Sequence, residues 1–139
     1  MKYIYQSIAN ILEHDSILIN LVGYTAAKMN IRRGFQLGSG WQKLIAYYFQ
    51  PDFPITDFTP NIREIPLIVR VYDRDDDLNC GVIGERVIVL LDGANLSVAG
   101  QVHVYDISYT GELVPVTFNE ELKSYERVLR FILQIRKDA

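Results

Sequence analysis

The most conspicuous chemistry in this sequence is a row of carboxylates, Asp73, Asp75 and Asp77, at alternate positions of the run Asp73-Arg74-Asp75-Asp76-Asp77. That spacing matches the first three ligand positions of a calcium-binding loop, in which hard oxygen donors surround a divalent cation. The match stops there. Such a loop needs glycine where this chain has Leu78, and a bidentate glutamate where it has Gly84. The run is expected instead to cap a helix, because Asp76 or Asp77 can accept hydrogen bonds from the free N–H groups of a helix beginning near Leu78. A charged contact surface, or one that lines a channel through Asp75, Asp76 and Asp77, is the alternative.

The other reactive residue types are sparse. His14 and His103 are the two histidines and Cys80 is the single thiol. A Cys80–His103 nucleophile pair is not expected, since Cys80 falls on an apolar stripe where a thiol behaves as a small hydrophobe. Zinc lacks a ligand set of the usual number and spacing. Gly38-Ser39-Gly40 has neither the strand-turn-helix setting of a nucleophile elbow nor the length of a phosphate loop. Asn95-Leu96-Ser97 matches a glycosylation sequon, which has meaning only in a secreted chain. No catalytic, cofactor-binding or metal-binding residue is assigned, and the chain is expected to be neither an enzyme nor a cofactor carrier.

Basic residues gather in two places. Arg32 and Arg33 precede an aromatic segment, and Arg127, Arg130, Arg136 and Lys137 lie near the end. A nucleic-acid platform interleaves basic and aromatic groups on a net basic domain. Here 14 basic against 17 acidic side chains give a net charge of -3, so these arginines are expected on exposed strand faces or in ion pairs between subunits. Seven of the 16 aromatic residues, among them Phe35, Trp41, Phe53 and Phe58, fall within residues 35–58. Aromatic crowding of this kind in a loop marks a candidate contact surface.

A length of 139 residues with 49% hydrophobic content suits one domain, 1–139, whose core needs no disulfide or metal. A lone cysteine forms no internal disulfide, and no charged-then-apolar leader is visible, so manufacture in a reducing cytoplasm is expected. No apolar run approaches the ~20 residues that span a bilayer. Ile4, Ile8, Ile11 and Leu12 predict one helix, and Ile17 to Val22 predict a second, capped by His14-Asp15-Ser16 and closed by Gly23. Residues 30–33 fit a short extended piece, 34–43 a loop, and 44–49 a strand. Pro51, Pro54, Pro60 and Pro66 predict a long irregular connection over 51–65. Residues 67–72 alternate as a strand, and Cys80, Ile83, Val87, Leu90 and Leu91 form a helical stripe. Residues 101–109 and 112–118 predict a hairpin about Thr110-Gly111, with Pro115 placing its second strand at an edge or on a bulge. The last strand is expected from about Arg127. The sum is an α+β domain on a mostly antiparallel sheet, with edges open to another chain.

This order of elements resembles the tail terminator, or tail completion, proteins of long-tailed bacteriophages. The resemblance rests on Leu21-Val22-Gly23 after the helical pair, on Ile65-Pro66-Leu67-Ile68-Val69-Arg70-Val71, on the helix after Asp77, and on Tyr125-Glu126-Arg127-Val128-Leu129-Arg130-Phe131. It covers most of the chain as a pattern rather than through a specific motif. It implies a structural virion protein, a ring-forming subunit that assembles as a hexamer in the host cytoplasm, caps the tail tube, ends its growth and docks to the head connector at the neck. Its implied partners are copies of itself, the tail tube protein, head connector proteins and DNA that passes without specific binding. The candidate subunit or tube interface is Arg32, Arg33, Phe35, Trp41, Phe53, Phe58, Arg130 and Arg136, and Asp75 to Asp77 are candidates to face the channel. A head-to-tail adaptor or other neck protein is the near alternative, and a small ligand-binding α+β domain the distant one.

Overall fold

A computed structural model of the chain describes residues 2–24, 30–34, 36–38, 40–50 and 62–136, and the backbone of 56–59. The chain opens with α1, Lys2–Glu13, whose Ile4, Ile8 and Leu12 recur every fourth residue and are buried. Helix α2, Ser16–Val22, starts where the Asp15 carboxylate accepts from the Leu18 N–H at 2.9 Å. It ends at Gly23, whose φ of 70° suits a residue without Cβ and whose N–H donates to the Ile19 carbonyl.

Six strands follow the helical pair: β1 (Ile31–Arg33), β2 (Lys43–Phe49), β3 (Thr56–Thr59), β4 (Ile62–Asp73), β5 (Val104–Asn119) and β6 (Ser124–Arg136). They form one sheet in the order β1-β2-β4-β6-β5, with β3 paired to the beginning of β4. Only β1 and β2 run parallel. The fold is therefore α+β on a mostly antiparallel sheet, as the residue pattern requires. Helix α3, Asp77–Leu91, joins α1 and α2 on one face. There Ile45, Tyr47, Leu67, Val69, Val71, Leu129, Phe131, Leu133 and Ile135 meet Ile4, Ile8, Leu12, Leu18, Ile83 and Val87 in the main core.

Three expectations are corrected. Thr110-Gly111 is not a turn, since β5 runs 16 residues without reversing and Gly111 stands opposite Arg130 with a φ of 129°. The register shifts between Tyr109 and Gly111 and again between Val114 and Thr117, so the glycine and Pro115 mark irregularities in one long edge strand. The reversal comes at residues 120–123, where Lys123 takes a φ of 53°, and β6 starts at Ser124 rather than Arg127. Residues 51–65 are not all irregular either: 56–59 and 62–65 lie in the β3–β4 hairpin. Pro66 is tolerated inside β4 because its missing donor faces the flank where β2 has ended. Its carbonyl on that flank accepts from the Gln50 N–H at 3.2 Å.

Candidate assembly surfaces

The acidic run divides into three roles. Asp73 is fully buried, and its Oδ1 accepts from the N–H groups of Asp75 and Asp76 at 2.9 and 3.1 Å while Oδ2 accepts from Asn79 Nδ2 at 2.8 Å. Asp76 is the N-cap of α3, accepting from Leu78 N at 2.9 Å and Asn79 N at 3.3 Å. Asp75, Asp76 and Asp77 are exposed. Both oxygens of Asp73 are committed to folding the turn, so the alternating carboxylates do not converge on one point. Among the described residues no group of three or more metal-ligating side chains gathers anywhere.

The basic residues are not brought into one patch. Arg32 and Arg33 lie on β1, at one edge of the sheet, and Arg130 and Arg136 on β6, with β2 and β4 between them. Arg33 turns toward the helices, its guanidinium 4.8 Å from the Tyr5 ring centre. Arg32 turns to the opposite, helix-free face and donates from Nη1 to the Leu37 carbonyl at 2.9 Å. On that face Arg70 stands in the same cross-strand row, Arg32-Ala46-Arg70-Val128, and donates from Nε to the Tyr48 hydroxyl at 2.9 Å. Arg130 is half-buried one row along, and Arg136 is exposed at the end of β6.

Of the aromatic candidates, Trp41 is corrected from surface anchor to core. It is 5% exposed, packed with Leu44 and Tyr72 in a small second cluster at the helix-free side, with its ring 5.4 Å from that of Tyr72. Residues before β2 fold back over the sheet, and Arg74 clamps them: its guanidinium lies 3.9 Å from the Trp41 ring centre, and Nη1 donates to the Trp41 carbonyl at 2.7 Å. Phe35 and Phe53 lie outside the described residues. Phe58 is in β3, of which the backbone alone is described.

Sequence reasoning missed the role of Arg127, which reads as one of a terminal basic group. Its side chain is buried beneath α3. Nη1 donates to the Gly81 carbonyl at 3.0 Å, Nη2 to Glu85 at 2.8 Å, and Nε to Glu112 at 2.9 Å. A Cβ on Gly84 would stand 2.7 Å from Nη1 and 2.8 Å from Cδ, so this helical glycine makes the space that the arginine fills. The signal was present: Arg127 shares strand parity with Leu129 and Phe131, which face the core. Cys80 nearby is buried and donates weakly to the Val71 carbonyl at 3.6 Å. Burial, then the charge of Asp73, pushes its thiol up to about 12, which keeps it protonated and inert.

The exposed apolar side chains are concentrated. Among the described residues eight large ones are exposed, and all but Ile17 lie on α3 (Leu78, Val82, Val89) or β5 (Tyr105, Leu113, Val116, Phe118). Leu78, Val82 and Val89 recur at helical spacing on one stripe. Val116 reaches to 3.7 Å from where a Cβ on Gly81 would stand, which joins the helical stripe to the distal half of β5. Beside this surface runs the outer edge of β5, which no other described strand pairs, although the Gly93 N–H and the Asp92 carboxylate engage the Ile107 carbonyl and the Tyr109 N–H there. At the other edge, β1 is three residues long.

No family model matches the chain, and no curated protein matches it by sequence. Among solved structures, the chain is similar to a subunit of the one described as "Virion of native gene transfer agent (GTA) particle". The similarity has a TM-score of 0.69 at 16% identity, over 96% of this chain and 91% of that one. At that identity, what the two share is the fold.

Proposed function

We propose that the chain is a structural protein of a phage-like virion and that it acts as a tail terminator, a ring that closes the end of the tail tube and docks to the head connector. The observation that carries this reading is the concentration of exposed apolar side chains on α3 and β5, beside an unpaired strand edge. Isolated exposed hydrophobics are ordinary, but a contiguous group beside a free strand edge marks a surface that another chain covers. The fold shared with a virion subunit and the resemblance of the element order to tail terminators support the same assignment.

A closed ring needs two different surfaces on each subunit. The α3–β5 edge supplies an apolar surface with Glu85, Asp106 and Glu112 around it, and the β1 edge brings Arg32 and Arg33. In this reading the basic edge of one subunit meets the acidic, apolar edge of the next, each contact burying on the order of 1,200–2,000 Å². Arg130, Arg136, Phe35, Phe53 and Phe58 remain candidates for the tube or connector contact. Asp75 to Asp77 face the channel and repel passing DNA, because retention of DNA requires basic groups that neutralise phosphates.

Native mass measurement of the purified chain tests the proposal. A sixfold ring is expected, and Val82→Glu should dissociate it while leaving the helical spectrum intact. A monomer that persists at high concentration overturns the reading. Replacing Asp75, Asp76 and Asp77 together by Asn keeps the cap, so rings should form as before and retain more DNA at low salt; unchanged retention removes the channel assignment.

A further inference from the structure

Arg127 binds two carboxylates with one guanidinium. Its side chain is 6% exposed, whereas those of Glu85 and Glu112 are 67% and 32% exposed, so formally one negative charge is left over and it reaches the surface. The surroundings of that charge are apolar. Glu85 stands on α3 in the same stripe as Leu78, Val82 and Val89, and Leu113 follows Glu112 on β5, all four of these hydrophobic side chains being at least half exposed. A partner that covers the stripe takes the surplus carboxylate out of water with it, and a charge so buried needs a counter-charge. The surface that fits here is apolar and brings one cation.

When two copies of the chain meet edge to edge with their helical layers on the same side, β1 of one approaches β5 of the next, and the face to which each side chain points decides which groups can meet. Glu112 stands opposite Leu129, on the helical face of the sheet, and Glu85 lies on the helix above it. On β1, Arg32 turns to the opposite face and Arg33 to the helical one. Arg33 is exposed, its guanidinium rests on the Tyr5 ring, and among the described residues no carboxylate pairs with it. Contact with a ring face leaves the guanidinium N–H groups free to donate sideways to carboxylates. We infer that Arg33 of one subunit enters the apolar stripe of its neighbour and pairs there with Glu85 and Glu112, a pairing that rests on the proposed ring assembly. Because the arginine and the two glutamates lie at opposite edges of the sheet, each subunit gives a cation to one neighbour and receives one from the other, which is the head-to-tail contact that a ring repeats.

Two charge-reversed variants of the full chain test the pair by native mass measurement. Arg33→Glu sets a carboxylate against Glu85 and Glu112, and Glu85→Lys sets a cation against Arg33, so each variant alone should need at least about tenfold more protein than the unaltered chain to form rings. In an equimolar mixture every contact between unlike variants pairs opposite charges again, the new carboxylate with the new ammonium at one edge and Arg33 with Glu85 at the other. Rings that hold the two variants in equal number, formed near the original concentration, are the expected result. Glu85→Lys leaves Arg127 bonded to Glu112 and to the Gly81 carbonyl. Should it nonetheless fold poorly, Arg33→Gln gives a second reading, since it should flatten the dependence of assembly on sodium chloride. If the unaltered chain forms rings and both reversed variants assemble as readily, the pairing is overturned and ring assembly stands. An unaltered chain that stays monomeric overturns both.

Discussion

The two faces of the sheet are buried by different means. On one, three helices cover aliphatic side chains of β2, β4 and β6 in a single continuous core. On the other, Leu44, Ala46, Ile68 and Val128 are also buried, but none of the described helices lies over them. Large amphipathic side chains of the same face, Tyr48, Arg70, Tyr72 and Arg130, stand among them, and Trp41, Leu37 and Leu122 add a small local cluster. Stems of such residues can shield apolar neighbours while their polar ends stay near water. The helical face fixes the fold through area and interlocking shape. The helix-free face is held dry by side chains that also present hydrogen-bonding ends outward, which suits a surface that meets other proteins.

The difference can be tested in steps of decreasing effect. Phe131→Ala, a fully buried ring in the main core, should cost about 4 kcal/mol in denaturant unfolding, and Trp41→Ala about 3, because its cluster is smaller. Equal losses would mean that both faces specify the fold alike. Cys80 offers a second readout: the native thiol should resist a disulfide reagent at pH 8 and react once the helical layer opens. Gly84→Ala forces its Cβ onto Arg127 and should cost roughly 1–3 kcal/mol. In combination with Arg127→Met the two losses should add to less than their sum.

The joint between α1 and α2 adds a pH dependence. Arg86 donates to both oxygens of Asp15 at 2.9 and 2.7 Å, and this hydrogen bonding, together with that of Leu18 N, holds the Asp15 carboxyl below its ordinary value of 3.8 despite its burial. A depressed carboxylate contributes stability above about pH 4 that is lost as pH falls through the lower folded value. Asp15→Asn should flatten that acid limb, and Asp15→Ala should in addition remove the cap, at about 1 kcal/mol. The smallest change expected is on the helix-free face. Tyr48→Phe removes the acceptor of Arg70 Nε and should cost about 0.5–1 kcal/mol; a larger loss would make that polar cover part of the fold's foundation.

Much of this architecture was legible because its signals are local. The caps at Asp15, Gly23 and Asp76 depend on residues a turn apart, and the period of β4 and the stripe of α3 follow from their own sequences. What was not legible depends on pairing across the chain. Gly111 carries a turn's composition, yet β6 runs straight past it and the backbone follows its partner, absorbing the glycine as an irregularity. Trp41 sits in a glycine-rich, aromatic stretch that suggests exposure, and its burial depends on Arg74 from the far end of β4. For the assembly surfaces, composition pointed to the aromatic loop, whereas the exposed apolar groups emerge on α3 and β5 only once their opposite sides are seen to be filled.

Arg127 and Gly84 have an evolutionary corollary. Since the guanidinium occupies the room that a methyl group would need, position 84 is closed to a side chain while the arginine stays in place, whereas position 127 can shorten with the glycine unchanged. Descendants of a shared ancestor that place any side chain at 84 should carry a shorter residue at 127, and those that keep the arginine should keep the glycine.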